Sequence, residues 1–246
     1  MIYSLFIYVS NTMIEAKKLV KRFGLKTVLR GLDFHVQPGE FVALLGPNGA
    51  GKTTFLRILA SLSRPSTGIV KVAGFALPAQ SAAVRQRLGV VSHQPLLYED
   101  LTARENLLFY ARIYDIPNAS KRIDEVLDMV GLASRRSDLV RTFSRGMQQR
   151  LAIGRAVLHN PDVILFDEPY TGLDQDASTM LDTVLKEVAA RGRTVVMTSH
   201  DLVRAEDLAT RFDVLSRGVI AASIRRSDLG RENLLDFYRR ALVDRG

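Results

Sequence analysis

Residues 41–53 constrain this chain more than any other stretch. The continuous apolar run Phe41–Leu45 (FVALL) passes straight into Gly46, Pro47, Asn48, Gly49, Ala50, Gly51, Lys52 and Thr53. An apolar run of that length between glycines suits a strand of a parallel sheet buried on both faces. The spaced apolar residues of 52–62 suit the helix that follows. Glycines in such a loop let successive backbone N–H groups converge on phosphate oxygens, and the helix start presents its positive end to the same anion. In that arrangement Lys52 reaches the β and γ phosphates of a nucleotide and Thr53 offers a hydroxyl to Mg²⁺. Residues 46–53 together with Thr54 are therefore the expected nucleotide contacts. A Gly-rich structural turn is the bland alternative, and the strand before and helix after argue against it.

Two more continuous apolar runs follow, residues 163–166 (VILF) and 194–198 (TVVMT). The first ends in Asp167-Glu168 and the second in Ser199-His200. Carboxyl ends of parallel strands are where α/β sheets gather their ligands, so Asp167 is expected to hold Mg²⁺ through water. Glu168 beside a metal-bound nucleotide can orient the attacking water and take its proton. Helical patterns at 178–190 and after Asp201 complete an alternating order, which predicts the α/β class with a parallel-sheet core. Residues 14–19 and 33–36 read as strands ahead of the Pro38-Gly39 turn. Between Gln94 and His159 strand signals vanish and helical periodicity takes over at 103–114 and 121–130, so a helical subdomain over about 95–160 is expected. A C-terminal helix over about 231–243 would present Leu234, Leu235, Tyr238 and Leu242 on one face that packs on the body.

Of 246 residues 47% are apolar and 24% charged, a balance that excludes disorder and fibrous architecture. The chain has no cysteine, which excludes disulfides, thiol nucleophiles and thiolate zinc sites; its four histidines are too scattered to suggest a cluster. No apolar stretch approaches the roughly 18 residues that cross a bilayer as a helix. Residues 2–9 are almost wholly apolar but short, with neither a basic lead nor a small-residue cleavage site, so they make a poor signal peptide. Met13 reads as a natural beginning, and residues 1–12 are expected to be a misplaced start or a loose extension. The net charge of +8 admits nucleic acid, an anionic lipid surface or a phosphate ligand as partner, and equally a merely solvated basic face. Residues 14–100 carry 12 basic and 5 acidic side chains, whereas 161–200 carry 3 and 7.

Beyond these two elements the sequence resembles the ATP-binding cassette family of transporter ATPases, from about residue 14 to 218. Ser144, Arg145, Gly146, Met147, Gln148, Gln149 and Arg150 are similar to its signature loop. Gln94 matches its glutamine loop, Gly172-Leu173-Asp174 its D-loop, His200 its switch histidine and Phe23 the aromatic that stacks on adenine. The resemblance implies a P-loop NTPase fold with an antiparallel N-terminal part, and a catalytic set of Glu168, His200 and Gln94. Metal contacts would come from Thr53, Gln94 and Asp167. Ser144, Arg145, Gly146, Met147, Gln148 and Asp174 would meet ATP in an opposite copy, so a homodimer sandwiching two ATP and Mg²⁺ is implied. A separately encoded integral membrane permease would be the other partner, docking on the 95–106 segment at the cytoplasmic face of the membrane. No nucleic acid is expected.

Two departures stand out: Arg145 takes a position usually glycine, and Met147 one that is often glutamine. Phe23 keeps a stacking face without a tyrosine hydroxyl. The FSRGMQQR signature, the DEPYTGLD stretch and the compact length look most like the ATP-binding subunit of the haem exporter of cytochrome c maturation. Subunits of multidrug, lipid and polysaccharide exporters stand close behind. Members acting on ribosomes or DNA usually carry two cassettes or long coiled-coil insertions, and small-molecule kinases and GTPases would lack the signature segment.

Overall fold

Side-chain alternation in the apolar runs makes them the centre of the molecule. The computed structural model describes residues 12–92, 94–230 and 233–243. Over these the chain forms β1 (Ile14–Phe23), β2 (Lys26–Val36), β3 (Phe41–Leu45), α1 (Lys52–Leu59), β4 (Thr67–Val72), β5 (Phe75–Leu77), α2 (Ser81–Gln86) and β6 (Leu88–Val91). Next come α3 (Ala103–Ile113), α4 (Ala119–Met129), α5 (Arg145–Val157), β7 (Val163–Asp167), α6 (Gln175–Ala190), β8 (Thr194–Thr198), α7 (Leu202–Leu208), β9 (Arg211–Ser216), β10 (Val219–Arg225) and α8 (Leu234–Val243). Six strands make one sheet in the order β10-β9-β3-β8-β7-β6, parallel except for β10 against β9. An antiparallel sheet, β2-β1-β4-β5, lies over it. The α/β class is the one the sequence predicts.

Period-two alternation sends Phe41, Ala43 and Leu45 of β3 into one apolar core and Val42 and Leu44 into a second. Along β7, Ile164 and Phe166 enter the first core while Val163 and Leu165 enter the second. Helices α3 to α6 fill the first core; α1 and the antiparallel sheet fill the second, where Phe34 meets Phe55 edge-to-face at 5.0 Å. A fully buried side chain of this size stabilises the fold by about 1.5–3 kcal/mol, so the double burial of β3, β7 and β8 holds the layers together. Arg211 staples the two sheets: it bonds Glu40, Asp213 and the carbonyl oxygen of His35.

The elements differ from the sequence reading at their ends. The helix predicted to run to 62 stops at Leu59, because Ser61 turns into the left-handed region and Leu62 N–H donates back to Arg57 O. Strands β1 and β2 are longer than expected, since their polar residues pair across the hairpin as well as the apolar ones. On α8 the packed face is Leu234, Phe237 and Ala241 with Tyr238 and Leu242 beside them; Leu235, expected on it, is 42% exposed. The proposed extension, apart from Thr12, and Arg231 and Glu232 of the predicted tail helix lie outside the described residues. No helix among the described residues is long and apolar enough to cross a membrane.

Just beyond α5, His159 stacks on Tyr114 at 3.9 Å with the rings nearly parallel and its ring nitrogens buried. Burial, with Arg193, Arg155 and Arg122 nearby, holds its pKa down to about 4 from the usual 6.5. A histidine that resists protonation when folded contributes stability above its unfolded pKa, and that stability is lost as the pH falls from there toward the folded value. Roughly 1–2 kcal/mol should disappear between neutrality and about pH 5. His159→Phe, which keeps the stack on Tyr114, should flatten this part of the acid limb in urea unfolding between about pH 8 and pH 5; parallel curves for the two proteins would contradict the assignment.

Candidate active site

Register brings the scattered motifs together. Leu44 pairs with Thr198, and Thr198 with Asp167, so β3, β8 and β7 end side by side and their loops converge at one edge. Gly46 has φ 149, and a Cβ there would lie 2.2 Å from the carbonyl oxygen of Leu215, so only glycine lets the loop leave β3 so close to β9. Gly51, with φ 113, turns the chain into α1. Lys52, the first helical residue, is buried; its Nζ donates to Gly46 O at 2.6 Å and stands 3.8 Å from Glu168 Oε1.

At the adjoining strand ends a single hydroxyl organises both acids. Thr198 Oγ1 donates to Asp167 Oδ1 at 2.8 Å and accepts from Glu168 N–H at 2.9 Å. Thr53 Oγ1 donates to the same Asp167 oxygen at 3.2 Å. A hydroxyl and a carboxylate side by side are hard oxygen donors that fit Mg²⁺. No group of three or more His, Cys, Asp or Glu among the described residues could hold a metal, so an ion here would take its remaining ligands from phosphate and water. When bound, Mg²⁺ supplies neutralisation of charge on the β and γ phosphates.

Glu168 has φ 53, a left-handed conformation costing about 1 kcal/mol or more for a residue with a Cβ. The bond to Thr198 offsets that strain and aims the carboxylate at two groups: Oε2 lies 2.6 Å from His200 Nδ1 while Oε1 faces Lys52. These groups open on a cavity of about 700 Å³ whose wall includes Lys26, Arg30, Lys52, Arg217, Glu168 and His200. Four full cations against one carboxylate make its field attractive to a polyanion.

The structure unites residues 47–54 with Glu168 and His200 around this cavity, while Asp167 and Gly46 support it from behind. Phe23 ends β1 opposite Lys26, 54% exposed, with Lys21 Nζ 4.6 Å over its ring, and does not line the cavity. Gln94 is exposed in the loop after β6 and stays outside it too. Ser144 caps α5 by accepting from Met147 N–H, and Asp174 caps α6 by accepting from Ala177 N–H. Gly146 is buried against Ala177, where a Cβ would come within 2.6 Å of that side chain. Arg145 lays its guanidinium on Gly172, and with Gln148 lines a second cavity, of about 410 Å³, that touches the far side of Glu168. Thus Ser144, Arg145, Gly146, Met147, Gln148 and Asp174 do not reach the phosphate-loop cavity of their own chain. Sequence reasoning missed Thr198, Lys26, Arg30, Thr171 and Arg217; only Thr198, a hydroxyl ending a buried run, left a readable signal.

Known proteins share this sequence family and this fold. The family model described as ABC transporter matches residues 29–171. The chain is 38% identical over 220 residues to the linearmycin resistance ATP-binding protein of Bacillus subtilis (strain 168), covering 88% of this chain and 70% of that protein. It is 41% identical over 207 residues to Nod factor export ATP-binding protein I of Paraburkholderia xenovorans (strain LB400), covering 83% and 68%. Among solved structures, an ATP-binding subunit of an ABC transporter superposes with a TM-score of 0.84 at 31% identity, covering 94% of this chain and 99% of that one. A dimeric ATP-binding cassette in a post-hydrolysis state bound to ADP and Pi superposes with a TM-score of 0.78 at 29% identity, covering 87% and 99%.

Thr198→Val removes one hydroxyl and leaves Glu168 N–H without its partner. Denaturant unfolding should record a loss of about 1–3 kcal/mol, restored by Thr198→Ser; a valine variant as stable as the parent would contradict the role given to this bond.

Proposed function

This chain belongs to the ABC transporter family as an ATP hydrolase, and we propose that it powers export through a separate membrane subunit. What carries the reading is the convergence of Lys52, Glu168 and His200 on one cationic cavity beside the Thr53–Asp167 oxygen pair. Residues 46–54 bind the triphosphate, with Lys52 exchanging its bond to Gly46 O for the β and γ phosphates. Thr53 and Asp167 would hold Mg²⁺, which would neutralise phosphate charge, and Gln94 would reach the metal or the water. Glu168 accepts a hydrogen bond from the attacking water, orients it in line and takes its proton; His200 supports Glu168 and donates toward the γ-phosphate. Phe23, paired across the hairpin with the cavity-lining Lys26, offers its ring to the adenine.

Two copies act together in this reading. The capped start of α5, with Ser144 and Gly146, is an anion site facing away from its own cavity, which suits the γ-phosphate of an opposite chain. Arg145, Met147, Gln148 and Asp174 border that contact. The dimeric cassette reported above supports it by likeness. The permease docks on the 95–106 segment, where Leu96 and Tyr98 are exposed next to Phe109 of α3. Asn106 at the end of that segment is buried instead, and its amide ties the loop down through Tyr98 N–H and Tyr98 O.

Export of a drug, lipid or polysaccharide is the better supported cargo reading, because the relatives reported are named for linearmycin resistance and Nod factor export. Haem export is the second reading, resting on FSRGMQQR, DEPYTGLD and the compact length. Purification from native membranes in mild detergent separates them: cytochrome c maturation proteins co-eluting would favour haem, another permease would favour the first, and ribosomal proteins would overturn transport. Glu168→Gln should lower turnover by roughly 10² or more while ATP holds a stable dimer, which sedimentation with ATP and Mg²⁺ would reveal. Lys52→Ala should instead weaken ATP binding itself, and unchanged affinity by calorimetry would remove Lys52 from the site.

A further inference from the structure

Glu168 and His200 come from loops leaving two neighbouring strands, β7 and β8, and each loop then re-enters a helix, α6 or α7. His200 is largely exposed, yet its Nδ1 stands 2.6 Å from Glu168 Oε2. An exposed ring holds such a contact only if the backbone beneath it is fixed. Below the pair, one guanidinium touches every segment involved. Arg204, in the first turn of α7, pairs through Nη1 with Asp182 Oδ2 on α6 and donates through Nη2 to Gln175 Oε1, the first residue of α6 after Asp174. Its Nε lies 3.3 Å from Asp201 Oδ2, the residue after His200 that also caps α7. The ring of Tyr170, two residues after Glu168, lies under the guanidinium at 5.1 Å, and its hydroxyl donates to Asp182 Oδ1 at 2.6 Å.

We infer that Arg204, clamped by Asp182 and Tyr170, is a positioning residue that holds His200 against Glu168 and ties both to the start of the D-loop helix. The assignment rests on the catalytic reading of Glu168 and His200 given above. All three guanidinium nitrogens are used, and the side chain is only 15% exposed, so the planar fork is needed where a lysine would supply one point charge. Burial first, and the bond to Asp182 next, push the Tyr170 hydroxyl above the ordinary tyrosine range, so it remains a donor wherever the enzyme works. Asp182 thereby has both oxygens engaged, one by each partner.

The test is steady-state ATP hydrolysis by the full chain carrying Arg204→Met, His200→Ala and both together, with ATP affinity measured separately. Arg204→Met should lower kcat about 10-fold and leave ATP affinity within about 3-fold, and Arg204→Lys should recover only part of the loss. In the His200→Ala background the same change should cost less than about 2-fold, because its effect runs through the missing ring. Additive losses, or an Arg204→Met enzyme with parental kcat, overturn the positioning role. Full turnover in His200→Ala alone instead overturns the catalytic reading it rests on. Should Arg204→Met fail to fold, Tyr170→Phe, which deletes a single hydroxyl, takes its place in the same cycle with a loss of about 3-fold expected.

Discussion

Three parallel strands must stop at the same level for this site to exist. The pairing of Leu44, Thr198 and Asp167 across β3, β8 and β7 sets that level, and the Thr198 hydroxyl, bonded to Asp167 and to the N–H of Glu168, locks it. A slip of one residue in any strand would turn its side chains to the opposite core and pull its end away from the cavity. Because each strand is buried on both faces, such a slip is costly, and the precision of the site is inherited from the packing of Val42, Leu44, Ile164, Phe166 and their neighbours.

Around that edge the charges are arranged with a sign. Lys26 and Arg30 from β2, Lys52 from α1 and Arg217 from the turn after β9 line one cavity. Part of the basic excess of residues 14–100 therefore faces this cavity, while Lys17 and Lys18 of β1 are exposed. Four acids of the C-terminal half lie near the cavity: Glu168 on its wall, Asp167 behind it, and Asp182 and Asp201 around Arg204 beside the histidine loop. An attractive field without a matching acidic network would hold a polyanion but give the reactive pair no fixed geometry.

The signature segment faces elsewhere. Ser144 and Gly146 begin α5 on a surface that its own phosphate loop does not meet, and Arg145 fills the space over Gly172 that the usual glycine would leave open. In the proposed reading the start of α5 acts toward a second molecule, while Glu168 and His200 act on the nucleotide of their own chain.

Local chemistry made some of this legible in the sequence. Residues 46–53 spell a phosphate loop because glycines, a lysine and a threonine at fixed spacing act through backbone geometry within a few residues. Asp167 and Glu168 were readable because they follow a run apolar on both faces, and the α/β order because strand and helix periods differ. Several elements escaped, namely β4, β5, α2, β6, β9 and β10: most are short or partly exposed and carry no clean alternation, and β9 buries Arg211 and Asp213 among its apolar residues. So did Leu235, whose place off the α8 face depends on the angle at which that helix docks. The hydrogen bonds of Glu168 with His200 and Thr198, and of Asp182 with Tyr170 and Arg204, join residues from 12 to 32 positions apart. Tertiary structure alone decided these, because a hydrogen bond is set by distance in space, and only the packed register of β7, β8, α6 and α7 brings those atoms within about 3 Å.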